Sequence, residues 1–204
     1  MDFEINMHRE FLLAGDVSAS MNQNDPRCDG LTRYKYMLEK FKSFITIAED
    51  YDTHQEGVTV MLFGAKVEVF EHTTLKNIES KLNNIEFEGL TMTDLLLDEA
   101  FKEHREEKSE LAKEGKVHPG TCLMIFTDGV PTNMAATERA VLNIANAIDR
   151  EEEFDIVFLT VGTMDRSTIH FLDKLKANVK KAKYNIVSVR SLEETTFLAA
   201  ATES

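Results

Sequence analysis

Apolar residues in this chain follow two alternating patterns: short unbroken runs, and longer stretches in which they recur at intervals of three and four. The first run, Phe11-Leu12-Leu13-Ala14-Gly15, is apolar throughout, as a central strand covered on both faces must be, and predicts a strand over about 11–16. From Leu31 to about Glu49, the positions Tyr34, Met37, Leu38, Phe41, Phe44 and Ile45 mark the buried face of a helix. Residues 58–63 read as a second strand, Gly64-Ala65 as a tight turn, and 66–71 alternate as a half-exposed edge strand does. Leu75, Ile78, Leu82 and Ile85 predict a short amphipathic helix over about 74–85. Leu95, Leu96, Leu97, Ala100 and Phe101 open a long helix over about 93–113, whose mostly charged second half is expected to be solvated and frayed.

After the Pro119-Gly120 break, a second central strand is predicted at about 121–127, then a helix at 135–150, a strand at 154–161, a helix at 167–181, a strand at 184–189 and a last helix at 192–201. Parallel neighbours need crossovers that cover both faces, so this alternation predicts an α/β fold. The expected architecture is a doubly wound, mostly parallel six-stranded sheet with one antiparallel edge strand and helices on both faces. A length of 204 residues with 43% hydrophobic residues suits a single domain with a sizeable core.

In such sheets, ligands bind beyond the carboxyl ends of the strands, where the winding reverses. The first apolar run ends in Asp16-Val17-Ser18-Ala19-Ser20, and the run from Thr121 to Thr127 ends in Asp128-Gly129. Both acids reach one crevice if these two strands flank the reversal. A third stretch, Gly89-Leu90-Thr91-Met92-Thr93-Asp94, opens the long helix and puts a threonine hydroxyl at the same edge. Aspartate and serine are also ordinary loop and N-cap residues, so the Asp-x-Ser-x-Ser stretch alone is a weak signal, and the two later stretches strengthen it. The combined set Asp16, Ser18, Ser20, Thr91 and Asp128 offers only hard oxygen, which suits Mg2+ or Mn2+.

The charge balance of -13 argues against binding a phosphate backbone. Cys122 lies inside an apolar strand and Cys28 in a polar segment, a pattern that fits a reducing compartment. The segment from Asn22 to Gly30 lacks the spacing of a calcium-binding hand and reads as a solvated rim loop. Histidines at 8, 54, 72, 104, 118 and 170 show no zinc spacing and are expected on the surface or in loops. No apolar run approaches a membrane span and the first residues do not resemble a signal peptide, so a cytoplasmic protein is expected.

Together, the three stretches around Asp16, Thr91 and Asp128 resemble the von Willebrand factor A (VWA) domain and its metal-ion-dependent adhesion site. The resemblance spans about residues 10–200 and makes residues 1–204 a single VWA domain of the compact bacterial or phage type. It implies that Ser18 and Ser20 bind the metal directly, that Thr91, matching a Gly-x-Thr motif, joins them, and that Asp16 and Asp128 act largely through water. Thr93 competes with Thr91 for that role, and Ala19 stands where the loop more commonly has glycine. The resemblance further implies a protein-interaction module, not an enzyme, in which a partner's Asp or Glu completes the metal shell. It suggests MoxR-type AAA+ ATPases, chelatase-like machines or stress and tellurite-resistance clusters as company, and a last helix that shifts when ligand binds. Two other functions fit the same residues: Mg2+-dependent phosphoryl transfer, and a purely structural loop. The first lacks both the second aspartate of haloacid dehalogenase-type phosphatases, whose place Ser18 takes, and a nucleotide-binding glycine loop.

Overall fold

Because alternate residues of a strand point to opposite faces, a strand that is apolar throughout must be covered on both. The computed structural model, which describes residues 9–51, 57–87 and 89–194, meets this condition in the centre of one sheet. Its described strands are β1 (Glu10–Asp16), β2 (Val58–Phe63), β3 (Val67–Thr73), β4 (Thr121–Thr127), β5 (Phe154–Thr160) and β6 (Val187–Ser191), in the order β3-β2-β1-β4-β5-β6. The β2–β3 hairpin is antiparallel, and every other pairing is parallel. The winding reverses between β1 and β4, which are direct neighbours.

The described helices are α1 (Arg33–Tyr51), α2 (Ile78–Leu82), α3 (Thr93–Lys113), α4 (Met134–Ala147) and α5 (Arg166–Val179). Leu13 of β1 and Cys122, Met124 and Phe126 of β4 pack with α1 and α2 on one face. Leu12 and Ala14 of β1 and Leu123 and Ile125 of β4 pack with α3, α4 and α5 on the other. Phe126 meets Phe41 and Phe44 of α1 edge-on, with centroids 4.7 and 5.6 Å apart. Truncating such an aromatic to alanine costs about 3–5 kcal/mol. The tip of Met37 of α1 packs directly over Gly15, where a Cβ would lie 2.7 Å from Met37 Cε and make that side chain shift.

Strand β4 and helix α3 occupy the residues that their apolar patterns predict, whereas α2 is shorter than expected. The Asn77 side chain accepts from the Thr74 amide and closes a turn that leaves Leu75 exposed, so the helix begins only at Ile78. The second half of α3 is mostly solvated, as expected, but it is not frayed: the helix runs unbroken to Lys113, and His104 within it is fully buried. His118 lies in a loop, as expected, but is buried, and Cys28 is buried within a segment that reads as solvated. Beyond β6, Leu192–Glu194 form a turn. The rest of the helix expected at 192–201 lies outside the described residues. Among the described residues, no helix is long and apolar enough to cross a membrane.

Candidate functional site

The reversal point carries the acids at the ends of β1 and β4. Asp16 is the last residue of β1 and Asp128 follows β4, so both stand at the carboxyl edge between the two central strands. Asp16 is buried with each carboxylate oxygen engaged: Oδ1 accepts from the Ser18 amide at 2.7 Å, and Oδ2 from the Thr127 hydroxyl at 2.7 Å. The first of these bonds folds the loop over the end of the strand and brings the serines to the acids. Burial pushes the Asp16 carboxyl up to about 6; the Thr127 and Ser18 bonds pull it back, while the charge of Asp128 adds to the rise.

Ser18 Oγ and Ser20 Oγ lie 3.0 Å apart, and the Ser20 hydroxyl donates to Asp128 Oδ1 at 2.9 Å. The single Ser20 proton is donated to Asp128, so within the serine pair Ser18 is the donor and Ser20 the acceptor. In an octahedral Mg2+ shell with metal–oxygen distances of about 2.0–2.1 Å, adjacent ligand oxygens stand about 2.8–3.0 Å apart. The serine pair, joined by this hydrogen bond, already has a separation that neighbouring Mg2+ ligands can take, and the donors are of the hard-oxygen type that Mg2+ and Mn2+ prefer. The residues fit a divalent ion in this respect. Ser18 and Ser20 would hold it, and Asp16 and Asp128, whose oxygens already accept hydrogen bonds, would supply negative charge beside it.

Thr91 reaches the same edge through its backbone. Its amide donates to Thr132 Oγ1 at 2.8 Å, and its carbonyl accepts from the Thr132 amide at 2.9 Å, which ties the start of α3 to the loop after Asp128. Among the described residues, no hydrogen bond joins the Thr91 hydroxyl to the serines or acids. Thr93 is the first residue of α3 and is buried. Asp16, Ser18, Ser20 and Asp128 thus form one hydrogen-bonded set, with Thr91 on an adjoining, separately anchored loop.

Sequence reasoning missed the charged residues that brace this set. Arg33 Nη1 donates to Asp128 Oδ2 at 2.6 Å, while its Nη2 and Nε donate to Asp25 Oδ2 at 2.9 and 3.1 Å. Asp25 also accepts from the Arg27 and Thr163 amides, at 2.9 Å each. Burial would raise the Asp25 carboxyl, but the Thr163 and Arg27 amides and the Arg33 guanidinium outweigh it and hold the group at about 2. Burial likewise disfavours charge on Arg33, but Asp25 and Asp128 more than compensate and keep it cationic. The segment from Asn22 to Gly30 is therefore not a plain solvated rim, since Asp25 and Cys28 within it are buried. One local sign of this role exists: a cation is disfavoured at a helix amino terminus, yet Arg33 is the first residue of α1.

A second group of ligand-type side chains lies at the opposite end of the sheet. His118 Nε2 stands 3.3 Å from Glu107 Oε2 and 3.9 Å from Glu10 Oε2, and the three ligand atoms lie within 4.8 Å of one another. The Gly120 amide donates to His118 Nδ1 at 3.0 Å, so in the neutral ring Nε2 carries the proton and points it at Glu107. That tautomer offers no lone pair to a metal. Burial, reinforced by Glu107, pushes the Glu10 carboxyl up to about 8.

No family model matches the sequence, and no curated protein sequence does either. The fold, in contrast, is similar to several solved structures. The manganese-loaded TRAP protein of Plasmodium vivax is 14% identical, with a TM-score of 0.55 over 95% of this chain and 72% of that one. Proximal thread matrix protein 1 from the mussel byssus is 17% identical, with a TM-score of 0.56 over 96% of this chain; the chain spans about half the length of that protein, 47%. The amino-terminal domain of TFIIH p34 is 10% identical, with a TM-score of 0.60 over 97% of this chain and 99% of that one. At such identities the likeness is one of fold alone. The mostly parallel six-stranded sheet, with its antiparallel edge pair and flanking helices, is a VWA-like Rossmann fold.

Proposed function

We propose that this protein is a metal-dependent interaction module that binds Mg2+ or Mn2+ at the β1/β4 edge and, through it, an aspartate or glutamate of a partner protein. The observation that carries this reading is the serine pair, with hydroxyl oxygens 3.0 Å apart between two carboxylates at the reversal point. A bound ion would supply Lewis acidity toward an incoming carboxylate. The chain's residues give it neutral hydroxyls as direct ligands, with Thr91 as a third, and leave Asp16 and Asp128 to balance its charge. Neutral ligands leave the ion short of electron density, which favours an anionic partner group.

The manganese in the P. vivax structure belongs to that protein and supports the reading only by analogy of fold. Phosphoryl transfer through an aspartyl nucleophile fits less well, because Ser18 stands two residues after Asp16, where that chemistry would use a second acid. Calorimetric titration of Mg2+ and Mn2+ into the wild type and Asp16→Ala tests the reading. Binding to the wild type that disappears in the variant is the expected result. Absence of binding to the wild type, with or without an acidic peptide, would reduce the loop to a structural element.

A further inference from the structure

The proposed ion would not enter a site empty of positive charge. Arg33 is there already, joined to Asp128 by one nitrogen and to Asp25 by two others, and its side chain is 15% exposed. The chain of contacts is continuous: Asp25 to Arg33, Arg33 to Asp128 Oδ2, Asp128 Oδ1 to Ser20, and Ser20 to Ser18. The cation and the hydroxyls that would hold a metal therefore grip opposite oxygens of the same carboxylate.

We infer that Arg33 is the resident cation of the site: it holds Asp128 and Ser20 in place without metal, and its charge sets how weakly a divalent ion binds. The inference rests on the metal-binding reading above and adds this chain's own control of affinity. Two opposing effects meet in one side chain. The planar guanidinium bridges two acids, so the loop after β1, the loop after β4 and the start of α1 form one preassembled unit. The same charge lies one carboxylate away from the hydroxyl pair and repels an incoming cation. A unit charge this close to a divalent ion changes affinity by about tenfold even at the dielectric constant of water. Asp25 moderates the effect, because it shares the guanidinium with Asp128.

The opposing effects make the inference separable from ordinary bracing. Mg2+ and Mn2+ titrations by calorimetry, with thermal melts in the presence and absence of metal, would be run on the wild type, Arg33→Gln, Arg33→Lys and Asp25→Asn. Arg33→Gln is expected to melt lower without metal yet bind metal about tenfold more tightly, so that its gain in melting temperature on adding metal exceeds that of the wild type. Arg33→Lys keeps the charge and loses the fork, so it should melt lower with near wild-type affinity. Asp25→Asn leaves the cation undivided on Asp128 and should weaken metal binding. That variant decides the matter if Arg33→Gln does not fold.

Equal or weaker metal binding in a folded Arg33→Gln, or equal or tighter binding in Asp25→Asn, overturns the role of Arg33 and leaves metal binding standing. Metal binding in Arg33→Gln alone supports it in the strongest form. No binding in any of the four proteins overturns the metal reading and this inference with it.

Discussion

The Thr127 hydroxyl at the end of β4 donates to Asp16 Oδ2 at the end of β1, 2.7 Å away and in the buried interior. This bond joins the two central strands at the point where the winding reverses, and it fixes the orientation of the carboxylate behind the serine loop. Thr127→Val keeps the shape of the side chain and removes the donor. A buried acceptor left unpaired costs about 1–3 kcal/mol, so Thr127→Val should lose that much in urea unfolding, and Thr127→Ser much less.

Thr91 and Thr93 should respond differently to truncation. Both are buried, but Thr91 lies on the loop beside Asp128, tied through its backbone to Thr132, whereas Thr93 sits in the first turn of α3. Thr91→Ala is expected to lower Mg2+ affinity with little change in the metal-free melting temperature. Thr93→Ala should lower the melting temperature and leave affinity unchanged. The reverse pattern in calorimetry and melts would assign the metal threonine to Thr93.

Gly162 follows β5 by two residues with φ +73°, and a Cβ built there would lie 2.7 Å from Asp25 Oδ2. Gly162→Ala should therefore combine left-handed backbone strain with a push on the carboxylate that holds Arg33, at a cost of about 1–3 kcal/mol. Thermal melts measure the cost. If Asp25 is displaced, the order of melting temperatures should place Gly162→Ala near Asp25→Asn.

The cluster at the far end of the sheet predicts a pH dependence of stability. Glu10 is pushed up to about 8 by burial and by Glu107, from an ordinary value of 4.5. Between these limits the folded state holds a proton that the unfolded state releases, so this group's contribution is full below about 4.5 and is lost as the pH rises through about 8. Glu10→Gln cannot ionise. Relative to the wild type it should be near neutral at pH 5 and more stable at pH 8.5, in parallel urea titrations. An equal difference at both values would mean that Glu10 keeps an ordinary carboxyl.

Much of the fold was legible because its elements carry their own signals. Strand β4 is apolar at almost every position and α3 repeats its apolar residues at three and four, so their bounds followed from local pattern. Asp16, Ser18 and Ser20 were legible together because five consecutive residues at the end of β1 hold all three. Local pattern failed where burial depends on distant neighbours. His104 lies in a highly charged stretch, yet it is buried with Thr121 and Glu153 as its hydrogen-bond partners. Cys28 and Asp25 sit in a turn-rich segment whose composition reads as solvated.

By itself the sequence determined which segments become strands and helices and which loop supplies the hydroxyls, since periodicity and turn chemistry act over a few residues. Only the tertiary structure decided which charges surround that loop. Arg33 meets Asp128 across 95 positions of chain, and Asp25 meets Thr163 across 138. An ion pair depends on distance in space, which the sheet order sets, so no local pattern around Arg33 could name its partner.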